Sequence, residues 1–469
     1  MTRAHAVVVG GGFAGLAAAS GLARGGWAVT LLEATGYLGG RAFSFFDPRS
    51  GMWLDNGQHV LLGVCETTPR WLDSLGVEQA VFFQPRLDLP VFARHRWSRL
   101  TSRPWPGPLH LLPGLAGFRL LSPRARWRAA RAAAALVGRR GVSPQLTFRE
   151  WLRRMGQGPE AERHLWDLMG TAVLNLRAAE ADAALAVQAL GMVIAAGWPG
   201  ARIGFFRQPL GHTAAAVGQA LRRLGVTVAL RQRVAAVVVA GDQVRGVRLA
   251  DGTLLEAEAV VLAVPFDRAR SLIPPDVADA SWSDLDAWEW SPIYNLYLWF
   301  DRPVAAEPVW ARTEGVVQFV FDRGQILDLA GWAGRHWAVS VSAADPYRSW
   351  SSERLVNTIL AELTEAVPAF GVASLLYHRG VWQPRATFRA TPAAVAARPS
   401  FATAVRGLWR AGDWTATGWP ACIEGAIRSG LAVAAAVAKM EGEGLAPVLV
   451  DRPKPRPSAT RAEPRWGSH

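Results

Sequence analysis

The sequence predicts an α/β protein: a parallel-sheet domain assembled from three separated segments, with an α+β domain inserted between them. Three observations predict it. The chain opens on a strand-helix-strand pattern, short strands with Gly-Asp and Asp-Gly turns recur far downstream, and a last strand and helix follow beyond residue 400.

The opening pattern is the clearest. Ala4–Gly10 is a short, Val-rich apolar run, as a buried parallel strand requires. Ala14–Arg24 carries small and apolar residues at helical spacing, and Trp27–Glu33 is a second strand. Downstream, Val226–Leu230, Val234–Val239, Val244–Leu249 and Leu254–Glu256 are β-rich runs. The turns Gly241-Asp242 and Asp251-Gly252 punctuate them, so the segment reads as a meander closing on Ala259–Val264. Gly407–Asp413 is a strand ending in Ala-Gly-Asp, and a helix runs from about Cys422 to Met440. Of the intervening stretches, His59–Phe206 reads as mostly helical and Phe266–Phe401 as mixed. Residues 1–75, 207–268 and 402–440 are therefore expected to form the nucleotide domain. Residues 76–206 and 269–401 are expected to form the substrate domain. Residues 441–469, with their Pro and Arg, read as a disordered tail.

Composition sets the class. The 469 residues suffice for two or more domains, and 50% hydrophobic against 19% charged residues implies a large core. The formal charge is +13, carried by Arg, because Lys439 and Lys454 are the only lysines. The bland reading of the preference for Arg is genomic codon bias, and it carries most of the weight. A functional reading of the charge is attraction to anionic lipid or nucleic acid, but no zinc finger, RNA-binding signature or long basic tail supports nucleic acid. Cys65 and Cys422 form neither a disulfide framework nor a CxxC metal site, so no metal is expected and a reducing cytoplasm suits the chain. The first residues enter a strand without the pattern of a signal peptide. Ala183–Pro199 is short and contains Gln188, and Pro420–Ala438 contains Glu424 and Arg428. Neither reaches the ~20 clean apolar residues of a span. The expectation is a soluble or peripheral protein in the cytoplasm, at the inner face of the cell membrane.

Gly10-Gly11-Gly12-Phe13-Ala14-Gly15 fits GxGxxG between a strand and a helix. Gly10 permits the tight turn, Gly12 lets the backbone approach a pyrophosphate, and Gly15 lets helix and strand pack closely. The helix start offers N–H groups and positive dipole to phosphates. Glu33 ends the second strand at the distance expected for a ribose acceptor, and Ala34 follows it.

The next block, Glu33 through Gly39-Gly40-Arg41 to Ser44, resembles the flavin amine oxidoreductase superfamily. In that likeness the paired glycines pass close to the cofactor, and Arg41 holds phosphate. Asp55-Asn56-Gly57-Gln58-His59 resembles the hydroxysqualene dehydroxylases, as does Ala411-Gly412-Asp413 through Trp419-Pro420-Ala421-Cys422 to Gly430. The resemblance runs from about residue 4 to about 440, dense at both ends and thin through the insertions. It implies a Rossmann-type FAD-binding domain of glutathione-reductase-like kind. FAD would be noncovalent, because Cys422 does not stand where amine oxidases carry a covalent link. Asp413 and the N–H groups after it would contact its ribityl–pyrophosphate part, and Val234 would lie near the adenine.

The resemblance also implies the reaction: hydroxysqualene and reduced FAD give squalene, water and oxidised FAD, in squalene and hopanoid biosynthesis. The substrate is a C30 isoprenoid, held by apolar area, and the residues name no electron donor. The flavin carries the hydride, and a proton must assist departure of the hydroxyl. His59 is the candidate acid, against the alternative that it only hydrogen-bonds backbone or cofactor. His212 is a weaker candidate. A carotenoid or phytoene-type desaturase or isomerase is one alternative. A flavin amine oxidase is another, disfavoured because residues 1–438 contain no Lys to hold a water beside the flavin. A protein that keeps FAD without turnover is a third. Trp282, Trp288, Trp290 and Trp299, and separately Trp409, Trp414 and Trp419, read either as core or as walls of a polyene channel. Apolar Leu109–Leu121, followed by Arg-rich Ser122–Arg140, reads as a surface that lies on anionic lipid or as a solvated helix.

Overall fold

The computed structural model describes residues 3–143 and 145–440; the tail assigned to 441–469 lies outside the described residues. A five-stranded parallel sheet has the spatial order Thr227–Leu230, Ala28–Glu33, His5–Val9, Ala259–Leu262, Leu408–Arg410. Its strands thus come from three distant parts of the chain. His5–Val9 lies in the middle, with Val7 opposite Thr30 on one side and Val260 on the other. Residues 6–9 are buried, which explains a strand of continuous apolar character: Ala6 and Val8 pack toward the helices on one face, and Val7 and Val9 share the core of the antiparallel meander on the other.

The helix Phe13–Arg24 packs closely on the last helix, Ile423–Met440. The contact depends on small residues. A Cβ on Gly430 would lie 2.1 Å from the carbonyl oxygen of Ala14, and one on Gly21 would lie 2.5 Å from the Ala434 Cβ.

The meander is three-stranded and antiparallel, comprising Val234–Ala240, Gln243–Leu249 and Leu254–Glu256. The run at 226–230, read above as its first strand, belongs instead to the parallel sheet, where Leu230 pairs with Glu33. The turn decides this. Arg231 takes φ 56°, and the amides of Arg231 and Gln232 bond the Thr35 and Glu33 carbonyls, which ties the run to the second strand. Apolar runs of four or five residues do not reveal that choice of partner.

The second layer is a seven-stranded sheet ordered Leu375–Phe388, Trp290–Phe300, His336–Ser342, Phe319–Asp322, Val309–Arg312, Asp88–Ala93, Arg96–Thr101. Five of these strands come from 290–388 and two from 88–101, so both insertions contribute to one sheet. They join where Ala311 pairs in parallel with Val91. The stretch 59–206 is helical over Pro123–Val137, Phe148–Arg154 and Ala183–Ala195. It also holds Val60–Leu62, Val81–Phe83 and Ile203–Phe206, which form a small sheet of their own.

Candidate active site

The glycine-rich turn is as tight as its sequence requires. Gly10 has φ +110°, and a Cβ there would approach the Ala263 carbonyl oxygen to 2.8 Å. Gly12 precedes the helix, whose N-terminus has no side-chain cap and no acid in its first turn. Its amides therefore keep their capacity for an anion. A Cβ on Gly12 would meet only the Gly40 Cα, at 3.8 Å, so the two glycine segments leave their backbones open to a phosphate chain. Gly39 N–H donates to the Gly11 carbonyl at 2.9 Å and locks the segments together. Phe13 and Ala14 are buried, and Phe13 meets Trp71 edge-on, so both serve packing beneath the turn.

The Glu33 carboxylate accepts from Gly11 N and Thr35 N, each at 2.7 Å. Ala34, beside it, is exposed. Val234 is buried at the head of the meander, and its carbonyl accepts from Arg268 at 3.0 Å. Arg41 pairs with Asp413 at 2.5 Å and donates to the Ala386 carbonyl at 3.1 Å, so it joins the first and last segments.

Gly412 N–H donates to Ser429 Oγ, and its φ of +152° turns the chain into the loop 413–421. Arg398 organises that loop. Its guanidinium donates to the carbonyls of Asp413 and Trp419, both at 2.8 Å, and of Thr415 at 2.5 Å. Gln188 reaches in from the other side to the Gly418 carbonyl at 2.5 Å. Trp419 is partly buried under Arg428, Pro420 is buried, and Ala421 is partly buried. Cys422 accepts from Gly425 N–H, and burial pushes its thiol up to about 12, so it stays protonated.

The Asp55–His59 turn links the hairpin of Ser44–Asp47 and Met52–Asp55 to the strand Val60–Leu62. Asp55 accepts from Ser44 Oγ (2.7 Å), Leu210 N (2.8 Å) and Arg323 Nη2 (3.1 Å). Asn56 donates to the Arg41 carbonyl at 2.8 Å. Gly57 lies against Asn295, whose Nδ2 would be 2.8 Å from an added Cβ. Gln58 Oε1 accepts from Arg323 Nη1 at 2.6 Å, and the Tyr297 hydroxyl donates to the Asp55 carbonyl at 2.8 Å. His59 Nδ1 is 2.9 Å from the Gly57 carbonyl. Burial holds the imidazole below its ordinary pKa; Arg323 pushes the same way, while the Gly57 carbonyl and Asp55 oppose. A neutral ring donating from Nδ1 keeps the lone pair on Nε2.

The structure therefore brings together Gly12, Gly39, Gly40, Arg41, Asn56 and Asp413 through direct contacts, with Glu33 at one end and His59 at the other. His212 is exposed and stands edge-on to Trp53, with no contact to that turn. Trp282, Trp299 and Trp414 are fully buried in core positions. Trp290 stacks on Phe266 and lies under Arg41. Sequence reading missed Arg323, Asn295, Tyr297 and Arg398. Their signal is faint, because in a chain this rich in Arg nothing marks the buried ones.

Fold and site define a two-domain flavin-dependent oxidoreductase. The chain belongs to the flavin containing amine oxidoreductase family, whose profile matches residues 13–438. It is 29% identical to hydroxysqualene dehydroxylase of Sinorhizobium fredii, over 90% of this chain and 95% of that one. It is 30% identical to hydroxysqualene dehydroxylase of Rhodopseudomonas palustris, over 90% and 96%. With 15-cis-phytoene desaturase of an Oncidium hybrid it shares 25%, over 92% and 77%. Among solved structures, an oxidoreductase from Methanosarcina mazei superposes with a TM-score of 0.72 at 17% identity, covering 92% of this chain and 99% of that one. Putrescine oxidase bound to putrescine superposes equally well at 18% identity, over 93% and 99%. At these identities the structural likeness shows a shared fold.

Proposed function

We propose that the protein binds FAD noncovalently and reductively dehydroxylates hydroxysqualene to squalene, as a step of squalene and hopanoid biosynthesis. The observation that carries the reading is the likeness to two hydroxysqualene dehydroxylases over at least 95% of their length. In this reading Gly10, Gly12, Phe13, Ala14 and Gly15 form the pyrophosphate turn, and Glu33 and Ala34 take the adenosine ribose. Val234 flanks the adenine. Gly39, Gly40 and Arg41 close over the phosphates. Asn56, Gly57 and Gln58 approach the flavin from one side, and Gly412, Asp413, Trp419, Pro420 and Ala421 from the other. The protonated Cys422 thiol supports noncovalent binding.

Bound flavin supplies the hydride, and the protein must do the rest. The allylic C–O bond breaks, hydride joins the carbon, and the hydroxyl leaves as water with one proton. His59 is the proposed donor of that proton. Its low proton affinity makes the imidazolium a strong acid when it forms. A C30 isoprenoid partitions into lipid, so the enzyme works at the cytoplasmic membrane surface and takes electrons from a donor outside this chain.

The test is anaerobic. Reduced enzyme mixed with hydroxysqualene should reoxidise, with squalene appearing in step. The likeness to a phytoene desaturase supports a second reading, oxidation of a polyene. Inert reduced enzyme, together with oxidised enzyme that bleaches on a polyene, replaces the first reading with the second.

A further inference from the structure

The positive charge of this chain is not spread over it. Residues 89–149 contain twelve of the 51 strong bases and none of the 38 acids, so the rest of the chain is balanced to within one charge. Folding neutralises part of the excess from outside the segment: Arg94 meets Glu160 and Glu314, Arg99 meets Asp88 and Glu307, and Arg149 meets Glu162. Arg103, Arg119, Arg124, Arg128 and Arg131 have no ion pair among the described residues.

The same segment holds exposed apolar side chains. Five of the fourteen large ones exposed among the described residues fall between 97 and 127, including Trp105 (49%), Leu109 (47%) and Trp127 (61%). They stand on a rigid platform. The short helix Leu112–Gly117 lies flat on the edge strand Arg96–Thr101, so close that a Cβ on Gly114 would lie 2.2 Å from the Thr101 carbonyl oxygen. Arg126 donates to the Ala116 carbonyl at 2.7 Å and to the Leu121 carbonyl at 2.9 Å, which fastens the helix Pro123–Val137 alongside. Arg103, Trp105, Leu112, Pro113 and Ala116 line one surface cleft there.

We infer that residues 97–131 form a docking face for a bilayer with anionic headgroups: Trp105, Leu109, Leu112 and Trp127 enter the interface while the unpaired arginines meet the headgroups. Exposed apolar side chains beside unneutralised cations suit a phase that is apolar within and anionic at its rim. A nucleic acid offers no apolar phase, and a second copy of the face would set arginine against arginine. The docking follows from charge and exposure alone. Its use in delivery rests on the isoprenoid reading, and one helix connects the two. In Ala183–Ala195, the Ile194 carbonyl lies 3.2 Å from the buried His110 of the platform, and Gln188 holds the loop at Gly418. Six residues of helix, ~9 Å, separate those contacts.

The experiment uses full-length, flavin-loaded protein and co-sedimentation with vesicles. Phosphatidylcholine containing phosphatidylglycerol should retain the protein, phosphatidylcholine alone should retain much less, and added salt should release it. Leu109→Ser with Leu112→Ser, and separately Arg124→Glu with Arg128→Glu, should each lower partitioning at least about tenfold. The flavin spectrum and melting temperature should not change, since all four side chains stand outside the cofactor contacts. Equal binding to neutral vesicles, no binding to either, or variants that bind like the parent would overturn the proposal. So would concentration-dependent dimers that both variants abolish, which would assign the face to a second copy. None of these outcomes touches the anaerobic reaction, so the two readings fail separately.

Discussion

Arg323, which opens the short helix Arg323–Ile326, and Asp55, which ends the strand Met52–Asp55, form a buried ion pair, Nη2 to Oδ2 at 3.1 Å, with side chains 2% and 4% exposed. The same guanidinium holds Gln58, so one cation braces both sides of the turn that ends in His59. Removing one partner leaves a buried charge alone. Arg323→Met should cost about 3–5 kcal/mol in chemical denaturation. The double variant Arg323→Met with Asp55→Asn should recover a large part of that loss. Equal losses in single and double variants would show that the pair is not coupled.

Glu33 should matter twice, as a ribose acceptor and as the acceptor for Gly11 and Thr35 amides. Glu33→Ala should weaken FAD binding by about 1–3 kcal/mol. Fluorescence titration of the apoprotein measures this, and unchanged affinity would remove Glu33 from the site.

The role of His59 has a pH signature. Its pKa lies below the ordinary 6.5, so the acid form is scarce at neutral pH. Flavin reoxidation by hydroxysqualene should therefore speed up as pH falls below neutrality. In His59→Ala it should be slower by ~10²–10⁴-fold, with that pH dependence gone. A variant that keeps the profile would leave His59 a purely structural group.

His336 makes stability depend on pH. Burial, with Arg323 adding to it, pushes its imidazole down to about 3, against 6.5 in an open chain. Between those values the unfolded chain binds a proton that the native state refuses, so stability falls as pH falls through that window. His336→Phe keeps a ring against Trp299, now 4.4 Å away, and should flatten the slope by up to ~1.4 kcal/mol per pH unit. Asp322 is pushed up to about 6 by burial and acts in the opposite sense between 3.8 and 6, in both proteins. Urea denaturation of the two at pH 7, 6 and 5 isolates the His336 contribution.

The opening strand, glycine turn and second strand were legible because each rests on local chemistry: Val-rich burial, glycine where φ is positive, and an acid at a strand end. The paired glycines at 39 and 40 were legible only through the family resemblance; their positive φ gives the local reason for glycine there. What escaped was set by distance along the chain. Nothing near Arg323 announces that its partner is Asp55, and nothing near Arg398 announces five neighbours in 413–419. The run at 226–230 was seen as a strand but given the wrong partners, since pairing is decided by a turn and two carbonyls. The tryptophans stayed ambiguous in sequence. Trp282, Trp299 and Trp414 are fully buried, in keeping with the core reading, and no periodicity separates one use of an indole from the other.

The fit of Gly430 against Ala14 and of Ala434 against Gly21 bears on how the protein is made. The helix Phe13–Arg24 meets this neighbour only when Ile423–Met440, far later in the chain, has been translated. Until then the edge strand at 408 and the loop at 413 are missing, so the nascent nucleotide domain exposes apolar surface and has half a cradle. Such a chain needs protection from aggregation through most of its synthesis. Truncation near residue 400 should leave an insoluble fragment rather than a weaker flavoprotein.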